Sequence, residues 1–473
     1  MTILQILILA AAAVVIGLLR RGRALALAGV SAFLLFWLAQ PDDALPSLPF
    51  WLQVFTVVIV ILAWVITTPR ESRRLREQWP VLAALAGVIL FASLVNHLPV
   101  ERILPISTAS PLIVTVALLA FGGLLFVVGA TPRLNRIWVA LTIFGLLAIF
   151  LVLKSPTLTA QFVERLSSLR GRQISPDATV VLAWLGYSYL AFRLLHVLRD
   201  WQNGVLPVVR LDEFICYVIF FPSIISGPID RVERFVQDLR APTRLTNEDW
   251  LYAGQRLASG LFKKFVLADW LAWVSISDVL VGQARSGAWL WLFLYAYGFR
   301  IYFDFSGYTD VAIGLGRLVG IRLPENFAAP YLKPNLTQFW NSWHMTLTQW
   351  FRSYFFNPVT RYLRTRERPI PVWAILLVTQ LGTMTLIGLW HGITWNFVIW
   401  GLWHAVGLFA QNRWSEWTRG RFPDWGQSPR ARSILSVAGV VLTFHYVTLS
   451  WVFFALSTPQ LSLAALMKLF GMS

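Results

Sequence analysis

The sequence has a single cysteine, few charged residues and no serine-nucleophile motif. One thiol, Cys216, cannot form a disulfide within the chain or build a cysteine-based metal site, and its apolar neighbours favour an inert buried side chain. Charged residues make up only 13% of the 473 residues, with 23 acidic side chains against 40 basic ones. No Gly-x-Ser-x-Gly motif is present, so nothing supports a serine acyl-enzyme.

Hydrophobic residues account for 57% of the chain and include 24 tryptophans. This much apolar surface does not fit inside one soluble core, so the sequence predicts an all-α membrane protein that crosses the bilayer many times. A window of about 20 residues gives roughly eleven or twelve spans. The predicted spans are Thr2–Leu19, Ala24–Leu38, Phe50–Thr67, Val81–Leu98, Leu112–Ala130, Trp138–Leu153, Val180–Leu198, Leu261–Val281, Trp289–Phe305, Pro371–Leu389, Thr394–Gln411 and Ile434–Leu456.

Three further segments are typical of helices that enter the membrane or lie on its surface. Phe214–Ile225 is apolar but too short to span, which favours a re-entrant or interfacial segment. Asn247–Asp269 and Asn335–Arg361 are amphipathic and predict interfacial helices. We expect all three around a central cavity or funnel. Thr2–Leu19 has no cleavage site and precedes further spans, so we interpret it as a retained helix.

The net charge of +17 lies mostly in loops beside the predicted spans. Such a distribution reflects membrane topology and argues against nucleic-acid binding. Alternating the spans from Arg20 places the basic clusters, including Arg361–Arg368 and Arg413–Arg432, on the cytoplasmic side. The loop Lys154–Asp177 is an exception, because it falls outside and yet carries several arginines.

Polar residues are unevenly distributed along the chain. Residues 1–155 predict plain apolar scaffold helices, whereas residues 179–456 are interrupted, aromatic and polar, and hold most of the side chains capable of chemistry. Residues 457–473 form a short C-terminal segment. A polar loop, Lys154–Ala178, separates the first two regions.

His391 lies near the centre of Pro369–Asn412, a stretch without Asp, Glu, Lys or Arg. The stretch is long enough for two spans and predicts a hairpin that turns at Leu389–Thr394. Because the flanking arginines are both cytoplasmic, the turn lies at depth or toward the outer side. An ionisable group is costly there and marks a functional site, and imidazole exchanges protons near neutral pH.

Four groups of motifs follow one another in a specific order. They are Phe220-Phe221-Pro222 with Ser226–Arg231 (SGPIDR), Asp304–Asp310 (DFSGYTD), Pro324–Phe327 (PENF) with Phe339–His344 (FWNSWH), and Leu389–Gly392 (LWHG) with Trp395-Asn396 and His404. Together they resemble the membrane-bound O-acyltransferase (MBOAT) family, in the bacterial branch that holds alginate O-acetyltransferase and teichoic-acid D-alanyltransferase. The resemblance covers about Leu185 to Leu408.

The resemblance implies transfer of an acyl group, acetyl or D-alanyl, from a cytoplasmic thioester to hydroxyls of an extracytoplasmic polysaccharide or other cell-envelope polymer. It implies a multi-pass protein of the bacterial inner membrane, with His391 as the base. His344 occupies the family's second functional position, where it orients the acyl group or donates to the oxyanion. Supporting or substrate-binding roles are expected for Asn341, Trp343, Trp390, Asp304, Ser306, Tyr308, Asp310, Arg231 and His404.

Structural roles compete with these functional ones. On a continuous helix Asn341 would share a face with His344, either as an oxyanion donor or as a surface amide. Asp304 has Arg300 at i, i+4 spacing, which favours a buried ion pair. His404 either supports the base or hydrogen-bonds to a neighbouring helix.

No metal site is expected, because no histidine pair has the i, i+3 or i, i+4 spacing with a nearby carboxylate. His97, His196 and His445 are assigned structural roles. No bound cofactor is expected; the resemblance implies a thioester donor, either acetyl-CoA or another coenzyme A ester, or the phosphopantetheine of an acyl carrier protein. It also implies an extracytoplasmic acyltransferase or esterase-like partner. Arg361–Arg368 would attract an acidic carrier or reflect topology alone.

Two other classes of function fit parts of the pattern. A proton-coupled transporter would use His391, Asp304 and Asp310 as a relay, but it predicts a repeat symmetry that the segments lack. A non-catalytic scaffold of an export complex would need no histidine in the hairpin turn. The sequence favours the acyltransferase.

Overall fold

The computed structural model describes residues 1–42, 45–95, 104–169, 182–241, 245–422 and 428–472. Over these ranges the chain is helical, and its only extended pairing is one isolated bridge. The all-α prediction is therefore confirmed. The α-helices are α1 (Ile3–Leu18), α2 (Arg23–Trp37), α3 (Leu48–Thr67), α4 (Leu75–Val95), α5 (Pro111–Ala130), α6 (Asn135–Lys154), α7 (Pro156–Leu169), α8 (Tyr187–Gln202), α9 (Leu211–Val218), α10 (Val232–Arg240), α11 (Asn247–Phe262), α12 (Asp269–Ala272), α13 (Asp278–Gln283), α14 (Gly287–Val319), α15 (Leu336–Trp340), α16 (Met345–Phe351), α17 (Asn357–Arg364), α18 (Val372–His391), α19 (Trp395–Arg421), α20 (Pro429–Ala455) and α21 (Pro459–Leu469).

Two π-helical segments, Lys263–Ala268 and Arg352–Phe356, join α-helices of the C-terminal half. Such wider turns are rare and are frequent at functional sites. Single 3₁₀ turns occur at Arg70–Ser72, Pro132–Leu134 and Pro330–Leu332.

Six of the described helices are long and apolar enough to cross a membrane, and the protein is a multi-pass membrane protein. They are Leu48–Thr67, Arg76–Val95, Pro111–Ala130, Pro132–Lys154, Val372–His391 and Pro429–Ala455. The helices α1 and α2 are apolar but shorter, with 16 and 15 residues. Fewer helices than the predicted eleven or twelve thus combine the length and the hydropathy of a span in the described part of the chain.

Other predicted spans differ from the helices that form. Leu261–Val281 is not one span, because α12 ends at Ala272 and α13 begins at Asp278 after the capping residue Ser277. Trp289–Phe305 lies inside the 33-residue helix α14, and Thr394–Gln411 lies inside the 27-residue helix α19.

Helix α9 overlaps the first part of Phe214–Ile225, the short segment that was expected to be re-entrant or interfacial. It has only eight residues, and all of them are buried by the rest of the protein. The loop predicted at Lys154–Ala178 contains the helix α7 in its first part. The remainder of that loop and His97 lie outside the described residues.

The chain divides into two compact units, each discontinuous in sequence. The first consists of Met1–Leu257 and Val311–Pro324, and the second of Ala258–Asp310 and Glu325–Ser473. The second unit contains α15 to α21, and with them both histidines for which a catalytic role is expected.

Candidate active site

The helices α18 and α19 form the predicted hairpin, with its turn at Gly392–Thr394. Two glycines allow their backbones to meet. A Cβ atom on Gly388 would lie 2.2 Å from the carbonyl oxygen of Phe397, and one on Gly401 would lie 2.5 Å from that of Met384. Small residues that permit close backbone approach are typical of helix pairs in membranes. The sequence thus builds a hairpin in which the two helices are in main-chain contact.

His391 is the last residue of α18, and its ring is only partly buried. Aromatic rings surround it: Phe454 at 4.7 Å, Trp400 at 5.6 Å and Phe397 at 5.8 Å between ring centroids. Trp390, the preceding residue, lies 4.5 Å away. The imidazole therefore occupies an aromatic pocket while part of its surface stays accessible, as a base that meets a substrate requires.

The Trp390 indole contacts both candidate histidines, since its ring centroid also lies 5.8 Å from that of His344. His344 is 2% exposed, and neither of its ring nitrogens hydrogen-bonds to another described residue. Burial lowers the pKa of the His344 imidazole to about 3. The ring is therefore neutral at physiological pH and has one N–H to donate.

The prediction that His344 and Asn341 share a continuous helix is wrong. The helix α15 ends at Trp340, and His344 precedes α16 with φ 44° and ψ 51°. This left-handed backbone region is uncommon and strained for a residue other than glycine. Asn341 lies instead at the C-terminal end of α15.

A hydrogen-bonded loop holds His344 in this conformation. The side-chain oxygen of Asn326 accepts hydrogen bonds from the hydroxyl of Thr346 at 2.6 Å and from its backbone N–H at 3.3 Å. The backbone carbonyl of Asn326 accepts another from the Met345 N–H at 3.0 Å. These bonds satisfy amides in the first turn of α16, which have no partner within the helix. They give the Pro-Glu-Asn-Phe motif a structural explanation.

Both acidic residues of the Asp304–Asp310 motif form ion pairs with lysines of a π-helical segment. Lys263 Nζ lies 2.6 Å from a carboxylate oxygen of Asp310, and Lys264 pairs with Asp304. The predicted pairing of Asp304 with Arg300 is wrong, because the π-helical turn supplies an ammonium group from outside α14. The two ion pairs connect α14 to the π-helical segment Lys263–Ala268.

The residues between these two acids pack inward. A Cβ atom on Gly307 would lie 2.9 Å from the carbonyl oxygen of Gly260. Ser306 and Tyr308 are buried, and the hydroxyl of Ser306 has no hydrogen-bond partner within the described ranges. The Phe305 ring lies 4.6 Å from the ring of His344. The motif therefore packs against the second histidine.

A cavity of about 230 Å³, which we call the hairpin cavity, extends along one face of α18. It is lined by Thr337, Trp340, Asn341, Thr348, Arg352, Phe356, Leu376, Gln380, Thr383, Met384, Ile387, Leu408 and Asn412. Its residues on α18 recur every three or four positions, as one helix face requires. Ile387 is one turn before His391, so the cavity approaches the histidine from the basic end of the hairpin.

Two residues that line the hairpin cavity each carry a buried polar atom without a hydrogen-bond partner among the described residues. The atoms are Nε1 of Trp340, a donor, and Oε1 of Gln380, an acceptor, and both side chains are at least nine-tenths buried. Native proteins leave few buried polar groups unpaired. Arg352 donates to Asn341 Oδ1 at 2.6 Å in the same lining. Asn341 therefore belongs to this cavity.

A second cavity of about 520 Å³, which we call the turn cavity, lies at the turn of the hairpin. It is lined by Ser277, Asp278, Val279, Thr394, Asn396, Phe397, Phe453, Phe454, Ala455, Leu456 and Ser457. Phe397 and Phe454 line this cavity and also contact His391. Asn396 belongs to a sequence motif, but no role was predicted for it. Asp278 was not predicted, because it comes close to these residues only in the folded chain.

The remaining predicted site residues have other surroundings. His404 Nε2 is 3.0 Å from the hydroxyl of Ser450 on α20, which is the structural alternative predicted for it. Trp343 is buried in an aromatic cluster, 5.3 Å from Trp451 between ring centroids. Arg231 belongs to the first unit, where it precedes α10 with an exposed side chain.

One cluster of the first unit has side chains of the kinds that bind metals. Ligand atoms of His196, Asp200 and Glu233 lie within 4.8 Å of one another. The spacing of histidine pairs did not indicate this combination, because it contains one histidine and two acidic residues. His196 Nε2 lies 2.8 Å from Asp200, and its Nδ1 lies 3.0 Å from the hydroxyl of Tyr217. This geometry is that of buried side chains that hydrogen-bond to one another, and we assign no metal to it.

Comparisons with known proteins agree with the motifs. The chain is 32% identical over 280 residues to the teichoic acid D-alanyltransferase of Bacillus subtilis, covering 58% of this chain and 69% of that protein. It is 36% identical over 236 residues to a probable alginate O-acetylase, AlgI, of Azotobacter vinelandii (49% and 44%). It is 33% identical over 268 residues to the peptidoglycan O-acetyltransferase of Helicobacter pylori (55% and 47%).

Residues 138–457 match the membrane-bound O-acyltransferase family, and this range includes the hairpin, both candidate histidines and both cavities. The chain belongs to that family, and the protein is an acyltransferase. It spans about half the length of the acetyltransferase relatives, and its relatives transfer either acetyl or D-alanyl groups.

Proposed function

We propose that the protein transfers an acyl group, in the first place acetyl, from a cytoplasmic thioester to hydroxyls of an extracytoplasmic polysaccharide or other cell-envelope polymer in a bacterial inner membrane. His391 is the general base. The observation that supports this proposal is the position of the two cavities, which approach His391 from opposite ends of one hairpin. A donor from one compartment and an acceptor from the other require such an arrangement.

The hairpin cavity suits the donor. It begins near the basic end of the hairpin, and we expect that end in the cytoplasm because basic residues favour the cytoplasmic side. An amide would complement the donor of Trp340 and the acceptor of Gln380, which have no hydrogen-bond partner among the described residues, and Arg352 adds a positive charge. The pantetheine arm shared by coenzyme A and acyl carrier proteins contains amides. Either carrier therefore fits.

The chemistry needs one proton acceptor and one oxyanion donor. His391 removes the proton of the acceptor hydroxyl as its oxygen attacks the thioester carbonyl carbon. The tetrahedral oxyanion then collapses, the C–S bond breaks, and the thiolate takes the proton back from His391. The neutral His344 provides an N–H for the oxyanion, and its fixed backbone orients that donor in advance.

D-alanyl transfer from a carrier protein is the second candidate. The observation in its favour is coverage, since the D-alanyltransferase relative is matched over 69% of its length and the alginate relative over 44%. Both candidates use the same two cavities and the same base. They differ in the acyl group that the hairpin cavity admits.

The test uses purified protein in lipid nanodiscs, given either acetyl-CoA or a D-alanyl carrier protein together with a mixture of envelope polysaccharides. We expect His391→Ala to lower acyl transfer by about 10² to 10⁴-fold, the usual contribution of a general base. His445→Ala is the matched control, because that histidine bonds to Tyr295 away from the cavities. Unchanged transfer by folded His391→Ala protein would remove His391 from the mechanism.

A further inference from the structure

Asn396 lines the turn cavity and carries a buried acceptor atom that has no partner among the described residues. Asn396 is 3% exposed, and its Nδ2 donates to the carbonyl oxygen of Leu456 at 2.6 Å. That bond leaves Oδ1 as the group without a hydrogen bond to any described residue. A buried acceptor in this state costs free energy, unless a ligand supplies the donor. The hydroxyl of a sugar or polyol is such a donor.

A carboxylate lies in the same lining. Asp278 begins α13, and its Oδ1 accepts a hydrogen bond from the backbone N–H of Ser457 at 3.1 Å. Ser277, Thr394 and Ser457 add short polar side chains to the lining. Among the described residues that line this cavity, Asp278 is the one charged side chain, and neither lysine nor arginine is present. The described lining therefore contains a carboxylate and no basic residue.

Two aromatic rings connect this polar lining to His391. Phe397 and Phe454 lie 5.1 Å apart between ring centroids in an edge-to-face arrangement. Aromatic faces carry partial negative charge and attract the polarised C–H groups of a sugar ring. A sugar packed on these rings would place a hydroxyl beside the imidazole, because both rings contact His391.

We infer that the turn cavity binds the acceptor and that it selects an uncharged, hydroxyl-rich saccharide over one that carries carboxylates or phosphates. Asn396 and Asp278 accept hydrogen bonds from the sugar hydroxyls, and the two phenylalanines bind its apolar face. An anionic residue at this position would face Asp278 without a counter-charge, and juxtaposed like charges are strongly unfavourable. This inference rests on the proposed function and adds the class of acceptor.

The experiment measures binding by calorimetry in nanodiscs, with a neutral β-1,4-glucan hexasaccharide and a hexauronate of equal length as probes. We expect the neutral probe to bind at least about tenfold more tightly, as an unpaired like charge in the site implies. Asp278→Asn should strengthen uronate binding and so reduce the ratio of the two affinities, glucan over uronate. Asn396→Leu should weaken binding of the neutral probe.

Thr115→Val is the control, because the Thr115 hydroxyl donates to the Pro111 carbonyl of its own helix and its side chain lines neither cavity; it should leave the binding of both probes unchanged. Equal or tighter binding of the uronate, or no binding of the glucan, would overturn the inference. An unchanged ratio in Asp278→Asn protein would do the same. These outcomes are independent of the base, since His391→Ala protein should still bind the glucan even though it no longer transfers acyl groups.

Discussion

The helices α5 and α6 differ from the hairpin α18–α19 in where their polar groups point. The most apolar windows of α5 and of the α6 region are only 11% buried, with mean hydropathies of 2.6 and 2.5. The corresponding window of α18 is 39% buried and has a mean hydropathy of 1.8. In α5 the hydroxyl of Thr115 donates to its own helix, at the carbonyl of Pro111 (2.8 Å). In the hairpin, Oε1 of Gln380 and Oδ1 of Asn396 are buried and have no hydrogen-bond partner among the described residues.

The difference suits apolar helices of similar composition to two different roles, contact with lipid and the lining of a cavity. A helix that satisfies its own polar groups suits contact with lipid, where any unpaired group is costly. A helix with buried polar atoms that lack a partner suits ligand binding, because a ligand can satisfy those atoms. Three substitutions sharpen this comparison, and two of them are matched to a position on α5.

Gly388→Val should have the largest effect. Its Cβ would overlap the Phe397 carbonyl, and the backbone cannot yield as a flexible side chain would. We expect a loss of at least about 3 kcal/mol of stability, the upper range for overpacking, and loss of transfer. Thermal unfolding in detergent measures the loss of stability. Gly123→Val on α5 is the control, since a Cβ there meets nothing within 4 Å; equal destabilisation of the two variants would refute the main-chain contact.

His344→Asn should have the next largest effect. Asparagine tolerates the left-handed backbone at this position, so the variant should fold, but its amide does not reach as far as the imidazole. We expect transfer to fall by roughly 10² to 10³-fold, as for loss of one oxyanion donor, with little change in the Michaelis constants of either substrate. Initial rates at saturating concentrations of both substrates measure this loss of transfer. A proportional loss of stability and activity would instead indicate a structural role.

Gln380→Leu should have the smallest effect. It removes an unpaired buried acceptor, so stability should stay the same or rise, while the Michaelis constant for the thioester rises about five- to tenfold because one hydrogen bond of about 1 kcal/mol is lost. Thr115→Val on α5 should alter neither quantity. Kinetics at varied donor concentration test this, and an unchanged donor constant in the Gln380 variant would argue against the donor site.

Periodicity and charge predicted the helical class, the hairpin and the placement of His391 at its turn. These features depend on long apolar runs and on the residues at their ends, which a single sequence displays directly. The motif order predicted the family. The position of His391 in an uncharged stretch could be predicted without information on contacts between distant residues.

Other features could not be predicted, because they depend on residues far apart in sequence. The amphipathic pattern around His344 predicted a continuous helix, but hydrogen bonds to Asn326 stop it. The spacing of Asp304 predicted Arg300 as its partner, whereas Lys264 on another segment provides the charge. The cavity at the hairpin turn combines residues from α13, α19 and α20. Only the folded chain brings these together.

The main-chain contact at Gly388 and Gly401 also limits how the protein can work. Two helices whose backbones touch cannot slide past each other by a turn without lifting apart, so an alternating-access cycle would have to break this contact each time. The acyl transfer that we propose needs no such displacement, because the thioester and the hydroxyl would both reach a hairpin that stays fixed. Under that proposal only the acyl group crosses the membrane, and neither of its carriers leaves its own compartment.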